Sequence, residues 1–324
     1  MSVLIVLFVC LAAIGGASLQ ASAAESRLKT RVLLEFGRLI PPHLEGPAVS
    51  LAAEFYALGF RSESAGPYGV EVLADQYFDV KRKLRADIYL PAEAKPPLPA
   101  VMLIHGGGWK YFSKAAVAGY GRLLASHGLA AVAVDYRLSA EARWPAQLED
   151  LHRALAWLQR HAEDWGIDPK RIAALGDSAG GHLAAMLGTV ECETTTRLAA
   201  VVAYYGVYDM VPLISHGQEA IDNPINQLLP DDSESTCREA SPINHIDANT
   251  PPFLLIHGLS DSVVPVEQTE VFADRLIAAG VPSDTLYVEG ADHMLLGLRL
   301  PIKPSLREVD SGVIAFLHRC LAVH

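Results

Sequence analysis

Residues 171–188 read Arg-Ile-Ala-Ala-Leu-Gly-Asp-Ser-Ala-Gly-Gly-His-Leu-Ala-Ala-Met-Leu-Gly, with Ser178 framed by Gly176 and Gly180. A short apolar run, a cluster of small residues and an Ala/Leu/Met-rich run predict strand, tight turn and helix, with the serine at the apex. A nucleophile on so sharp a bend occupies a strained backbone, and only small neighbours let strand and helix approach closely enough. A serine hydroxyl is a poor nucleophile at neutral pH. It needs a base in hydrogen-bond reach and donors for the oxyanion it creates. Taken alone, the same residues fit a glycine-rich turn in which Ser178 merely caps a helix, so the partners decide.

Two later segments supply them. Gly258-Leu259-Ser260-Asp261 follows the apolar run 253–257, and Gly290-Ala291-Asp292-His293 follows the run 285–289. An acid and a histidine are thus expected at strand ends, in the chain order Ser, Asp, His. Histidine suits a base that takes the serine proton and returns it to the leaving group, because its pKa lies near operating pH. Of the twelve histidines, His318 and His324 fall in the terminal helix and tail, and His105 and His257 in strand-end turns fit structural roles; His293 is the candidate base. Asp261 is the candidate acid that holds the imidazole in its working tautomer. Asp292 and Asp284 are its rivals, Asp292 being adjacent to His293 and less naturally directed at its ring.

His105-Gly106-Gly107-Gly108-Trp109 follows another apolar run. Its glycines let backbone N–H groups face a developing oxyanion, and one such donor is worth ~3 kcal/mol in the transition state. Gly107 and Gly108 are assigned as donors, with the N–H of Ala179 as the third. A phosphate-cradling loop is the alternative, but no Lys-Ser/Thr ending follows. Trp109 is expected to line an acyl pocket; its other reading is packing beneath an insertion.

The elements that must position these residues follow from patterning. Residues 70–78 and 85–90 alternate apolar and polar, as half-buried antiparallel strands do. The runs 100–104, 129–134, 172–175, 198–204, 253–256 and 285–288 predict further strands, the wholly apolar ones buried on both faces. Helices are expected over 113–127, capped by Ser113, and over 145–166, where Leu148, Leu151, Leu155 and Leu158 recur at helical spacing. Others follow Ser178 and span 265–280 and 304–321. Residues 207–250, rich in Pro, Asn and Asp, read as an insertion of helical fragments. Buried strands alternating with amphipathic helices predict an α/β fold: a mostly parallel sheet with helices on both faces and a ligand crevice beyond the carboxyl ends of the strands.

Composition narrows the function classes. The 324 residues are 51% hydrophobic, enough for a sizeable core, and the net charge of −11 with no basic run argues against nucleic acid. Residues 1–23 carry no charged side chain and contain an apolar core, Val3–Ile14, followed by small residues and Ala21-Ser22-Ala23, which reads as a cleaved secretory signal. That predicts a mature domain over 24–324, secreted or periplasmic, without stable membrane association; an uncleaved anchor is the alternative. The proline-broken stretch 25–66 reads as N-terminal packing or a cover for the site mouth. With Cys10 removed, Cys192, Cys237 and Cys320 remain; a Cys192–Cys237 disulfide is left open, and no cysteine has zinc-site spacing. No metal or cofactor is expected.

Together, His105–Trp109, Asp135-Tyr136-Arg137-Leu138, Gly176–Gly181, Asp261-Ser262-Val263-Val264-Pro265 and Gly290–His293 resemble the α/β-hydrolase superfamily. The closest branch resembles hormone-sensitive-lipase-like carboxylesterases. Gly181-His182-Leu183 and residues 136–147 are similar to those of secreted bacterial carbohydrate esterases that remove acetyl or feruloyl groups. The resemblance implies an eight-stranded sheet, a Ser178–Asp261–His293 triad, an oxyanion hole at Gly107, Gly108 and Ala179, and a cap-like insertion (about 207–250) over the site. It implies a serine carboxylesterase acting on short-chain or carbohydrate-linked esters through an acyl-enzyme. A peptidase or amidase on the same fold, and a ligand-binding protein on a hydrolase scaffold, are the competing readings.

Overall fold

The computed structural model describes residues 65–192, 196–214, 223–295 and 301–322. The expected signal segment 1–23 and nearly all of the stretch 25–66 lie outside the described residues.

Eight strands form one sheet: β1 (Val70–Asp79), β2 (Leu84–Pro91), β3 (Leu98–Ile104), β4 (Ala130–Val134), β5 (Ile167–Asp177), β6 (Val201–Tyr204), β7 (Phe253–Gly258) and β8 (Ser283–Val288). Their spatial order is β1-β2-β4-β3-β5-β6-β7-β8. β2 runs antiparallel to β1 and β4, and the other neighbours are parallel. The apolar runs occupy the middle. Every residue of β3, β4, β6 and β7 is buried, as parallel strands covered on both faces require.

The pleat divides each run between two cores. Met102 and Ile104 face one with Leu183, Phe272 and the leucines of helix α2 (Ala146–His161); Val101 and Leu103 face the other. Helices α3 (Ala179–Thr189) and α6 (Glu267–Ala278) also pack on the α2 side, while α1 (Ala118–Ser126) and α7 (Leu306–Cys320) cover the opposite side. All four leucines expected at helical spacing on α2 are buried. Its continuation is a 3-10 turn, Ala162–Trp165, ended by Gly166 at φ 66°. α7 opens with a reciprocal capping box between Ser305 and Glu308.

Three boundaries that differ from the patterning have a visible cause or consequence. β5 starts at Ile167, well before the apolar run, because Ile167 pairs with Leu98 ahead of a register shift; Pro169, which has no N–H to give the ladder, lies in that stretch. The helix expected from residue 114 opens as a 3-10 turn, Lys114–Val117, before α1 begins. β6 is confined to Val201–Tyr204, shorter than the run 198–204.

Within 207–250 the described residues form short pieces: 3-10 turns at Val211–Leu213 and Pro242–Asn244, and helices α4 (Pro224–Leu228) and α5 (Glu234–Glu239). Body contacts anchor them. Trp144 N–H donates to Leu228 O at 2.9 Å, Arg143 Nη1 to Leu229 O at 2.5 Å, and Gln268 Oε1 accepts from the Tyr208 and Asp209 amides at 2.8 Å. Cys237 is a free thiol buried on α5, so the Cys192–Cys237 disulfide is not formed. Among the described residues no helix is long and apolar enough to cross a membrane.

The turn after β4 is held by charge. Asp150 on α2 is wholly buried and accepts from Arg137 Nε at 2.7 Å, Arg137 Nη2 at 2.9 Å and the Arg137 amide at 3.0 Å, and it also pairs with Arg153. Removing Asp150 leaves Arg137 and Arg153 partly exposed and still facing Glu149, but without the carboxylate that accepts the Arg137 amide and guanidinium. Asp150→Ala is therefore expected to lower unfolding free energy by about 1.5–3 kcal/mol, the scale of hydrogen bonds to a charged group, read by urea denaturation; a loss below about 1 kcal/mol would match an exposed pair instead.

Candidate active site

Ser178 stands between β5 and α3 at φ 53° and ψ −118°. Packing explains why its neighbours are glycines. A Cβ on Gly176 would lie 2.1 Å from Gly180 O, and one on Gly180 would lie 2.1 Å from Ile104 O at the end of β3. Helix α3 thus starts in backbone contact with two strands, and Ser178 N–H donates to Tyr204 O on β6 at 2.9 Å.

The histidine and the acid arrive from the ends of β8 and β7. His293 Nε2 is 3.0 Å from Ser178 Oγ, and His293 Nδ1 is 2.8 Å from Asp261 Oδ2. Asp261 Oδ1 accepts the amides of Val263 at 2.8 Å and Val264 at 2.9 Å. Burial by itself would raise the Asp261 carboxyl, but hydrogen bonds from His257, His293 and the Val264 amide outweigh it and hold the group well below the usual carboxylate range. Asp261 is therefore an anion at neutral pH. Since Asp261 accepts from Nδ1, Nε2 is left with a lone pair facing the serine hydroxyl, the arrangement a general base needs.

The rival acids do other things. Asp292 Oδ1 accepts the Ser262 amide at 2.9 Å, the Ser262 hydroxyl at 2.9 Å and the His293 amide at 2.7 Å, which ties the acid loop to the histidine loop. Asp284 pairs with Arg319 at 2.5 Å on the surface.

The glycine loop after β3 turns through left-handed conformations, Gly107 at φ 105° and Gly108 at φ 59°. A Cβ on Gly107 would lie 2.5 Å from Tyr111 O, so that position is closed to any side chain. Asp177, beside the nucleophile, fastens this loop: its Oδ1 accepts the Gly106 amide at 3.0 Å. Ala179 is the first residue of α3, where an N–H has no intrahelical acceptor. From the insertion, Pro224 approaches the loop, its Cβ 3.5 Å from where a Gly108 side chain would begin.

Trp109 is packed inward. Its indole is 3% exposed and its Nε1–H donates to His182 Nδ1 at 3.1 Å, so the ring sits in the core beneath the insertion. A buried indole N–H needs an acceptor, and His182 supplies it.

His182 was singled out by no spacing rule, yet three parts of the site meet on it. It lies on α3, accepts from Trp109 of the glycine loop, and its Nε2–H donates to Ala240 O of the insertion at 2.7 Å. Burial drives it down to about 4, the Ala240 bond opposing only part of that. His105 behaves alike: its ring stacks on Tyr136 with centroids 4.3 Å apart, Nδ1 bonds to Gly106 O at 2.8 Å, and burial brings it to about 4. Both are neutral at pH 7. Among the described residues no group of three or more His, Cys, Asp or Glu is placed to hold a metal ion.

Two measurements follow from this geometry. Labelling of Ser178 by a fluorophosphonate should slow by about 10³- to 10⁴-fold in Asp261→Asn, which misdirects the imidazole, and by less than about tenfold in Asp292→Asn. Equal losses would remove the distinction between the acids. For stability, His105 and His182 titrate near 6.5 when unfolded but near 4 when folded, so the unfolded chain binds more protons in between. Their contribution is complete above about pH 6.5 and is lost as pH falls toward 4. Unfolding free energy should drop across that window, and His182→Gln should show a shallower drop; a slope unchanged by that substitution would contradict burial of the neutral ring.

Comparison with known proteins agrees with this architecture. The BD-FAE family model matches residues 86–276. Esterase LipC of Mycobacterium tuberculosis is 35% identical over 215 residues, covering 61% of this chain and 53% of that protein. The chain spans about half the length of the curated relatives it matches first. A truncated carbohydrate esterase from gut microbiota superposes with a TM-score of 0.69 at 26% identity, over 79% of this chain and 98% of that one. Esterase Est2 of Thermogutta terrifontis has been solved with butyrate bound (26% identity, TM-score 0.63, 78% of this chain and 94% of that one). The same enzyme phosphonylated by sarin is 27% identical with a TM-score of 0.65, over 78% of this chain and 95% of that one. With more than half its length matched by one family model on an eight-stranded hydrolase sheet, the chain belongs to the BD-FAE family of α/β-hydrolases.

Proposed function

We propose that the protein is a serine carboxylesterase working through an acyl-enzyme on short-chain acyl esters, including acetyl or feruloyl esters of carbohydrates. The observation that carries this reading is the continuous contact from Ser178 Oγ to His293 Nε2 at 3.0 Å and from His293 Nδ1 to Asp261 Oδ2 at 2.8 Å.

Ser178 Oγ attacks the ester carbonyl carbon as its proton passes to His293 Nε2. Asp261, anionic and hydrogen-bonded to Nδ1, stabilises the imidazolium. The carbonyl oxygen, now an oxyanion, accepts from the amides of Gly107, Gly108 and Ala179. Collapse breaks the bond to the leaving oxygen, which takes the proton from His293 Nε2 and departs as the alcohol. Water then gives a proton to Nε2 and attacks the acyl carbon, and a second collapse releases the acid and restores Ser178. His293 thus carries each proton, first from Ser178 to the leaving alcohol and then from water back to Ser178.

The short-acyl preference draws support from the butyrate held by the Thermogutta esterase. The carbohydrate half of the reading draws on the gut carbohydrate esterase. Export on the 1–23 segment belongs to the same reading, on its uncharged apolar core and Ala-Ser-Ala site.

Hydrolysis of p-nitrophenyl esters from acetyl to long acyl chains tests it. Turnover is expected to peak at acetyl to butyryl and fall steeply beyond, and Ser178→Ala is expected to lose about 10⁴-fold or more while remaining folded. A folded Ser178→Ala protein with wild-type turnover, or a preference for long chains, would refute the assignment or its acyl range respectively.

A further inference from the structure

Asp261 is contacted by a second histidine. His257 lies in β7, and its Nε2 is 3.2 Å from Asp261 Oδ2, the same oxygen that faces His293 Nδ1 at 2.8 Å; the His257 and Asp261 side chains are both fully buried. That Nε2 is also 3.0 Å from Val264 O. Two acceptors around one ring nitrogen require it to carry the hydrogen, which Val264 O accepts while Asp261 Oδ2 lies alongside at 3.2 Å. His257 Nδ1 then accepts from the Thr269 hydroxyl on α6 at 2.7 Å. A line of polar contacts thus runs from Thr269 through His257, Asp261 and His293 to Ser178.

The geometry points to His257 as a positioning residue for the triad acid: its Nε2–H aims Asp261 Oδ2 at His293 and sets how strongly the carboxylate holds the imidazolium. The inference rests on the esterase reading. Asp261 Oδ1 is fixed by the Val263 and Val264 amides; Oδ2 is shared between the two rings. Without the His257 donor, Oδ2 keeps His293 as its side-chain partner and its charge is less dispersed. The carboxylate then loses a restraint on its orientation, and it attracts a proton on His293 more strongly. A purely packing role for the buried ring would change stability and neither of these.

The groups around the pair are few. His293 faces Asp261, Ser178 and the Tyr205 ring, 4.7 Å between centroids, with Asp292 on its backbone amide. His257 faces Asp261 from the acid loop and Thr269 from α6, and Tyr287 lies beside it in register on β8. Tyr208 stacks on Phe272 of the same helix α6.

The test compares His257→Gln, whose amide N–H reaches the position of the ring Nε2–H, with His257→Leu, which fills the space without a donor. Steady-state kinetics on p-nitrophenyl butyrate across pH are read beside the proton NMR resonance of His293 Nδ1–H, identified by its absence in His293→Ala. His257→Leu is expected to lower kcat about tenfold, the scale of one charge-assisted hydrogen bond. KM should hold, the acid limb of kcat/KM should move to higher pH, and the Nδ1–H resonance should shift. His257→Gln is expected to recover most of each change. Equal losses in the two variants, or a destabilised His257→Leu protein with unchanged kcat, profile and resonance, would overturn the proposal. If His257→Leu does not fold, Thr269→Val removes the partner that fixes the ring, and an unmoved resonance there overturns it equally. Wild-type protein without ester turnover would defeat the esterase reading alone, since the resonance is read without substrate.

Discussion

Ser178 can hold φ 53° and ψ −118° only because three backbones meet beside it without side chains between them. Gly176 on β5, Gly180 on α3 and Ile104 O on β3 are so close that a single Cβ at either glycine would overlap a carbonyl oxygen. Strain of this kind costs on the order of 1–3 kcal/mol and persists where the surroundings over-determine it. Here they do: the buried apolar strands fix β3 and β5 in register, from Ala100 opposite Ile172 to Ile104 opposite Gly176. The same crossing places the glycine loop, which leaves β3 at His105, beside the helix that begins at Ala179. The Ser178 turn and the glycine loop are therefore set by one packing event.

The other half of the site is joined in a similar way. Gly258 leaves no room for a side chain, since its Cβ would lie 2.5 Å from Ala291 O, and Ser260 N–H donates to that same carbonyl at 2.9 Å. Asp292 completes the junction by accepting from Ser262. Asp261 and His293 thus sit on two loops joined by backbone and side-chain contacts. On the nucleophile's side of the site His182 and His105 are neutral and each spends its hydrogen on a fixed acceptor: His182 on Ala240 O, His105 on Gly106 O. Their role is directional, tying the insertion and the glycine loop to the body, and their depressed proton affinity keeps that role intact at neutral pH.

Much of this was legible from pattern. The apolar runs marked the sheet because parallel strands buried on both faces tolerate little else, and Ser178, Asp261 and His293 stood out because each followed such a run. Gly107 and Gly108 were visible because a loop that must turn through positive φ has few other choices. What escaped was set by contacts distant in sequence. Trp109 reads from its neighbours as a pocket residue, but its orientation depends on His182, 73 positions away. The early start of β5 depends on Leu98 as partner to Ile167. His257 looked like a turn histidine because nothing in a linear spacing shows that its Nε2 meets Asp261. Asp292 was a fair rival to Asp261 until the structure gave its carboxylate to backbone amides and Ser262 instead of the imidazole.

Covalent catalysis at Ser178 is tested by rapid mixing of the protein with p-nitrophenyl butyrate, following nitrophenolate release and the intact mass of the quenched protein together. A burst stoichiometric with enzyme, and a butyryl adduct that maps to the peptide carrying Ser178, are the predicted results. Turnover without an adduct at any time, or an adduct on a different residue, would contradict the role given to Ser178 and, with it, the acyl-enzyme route.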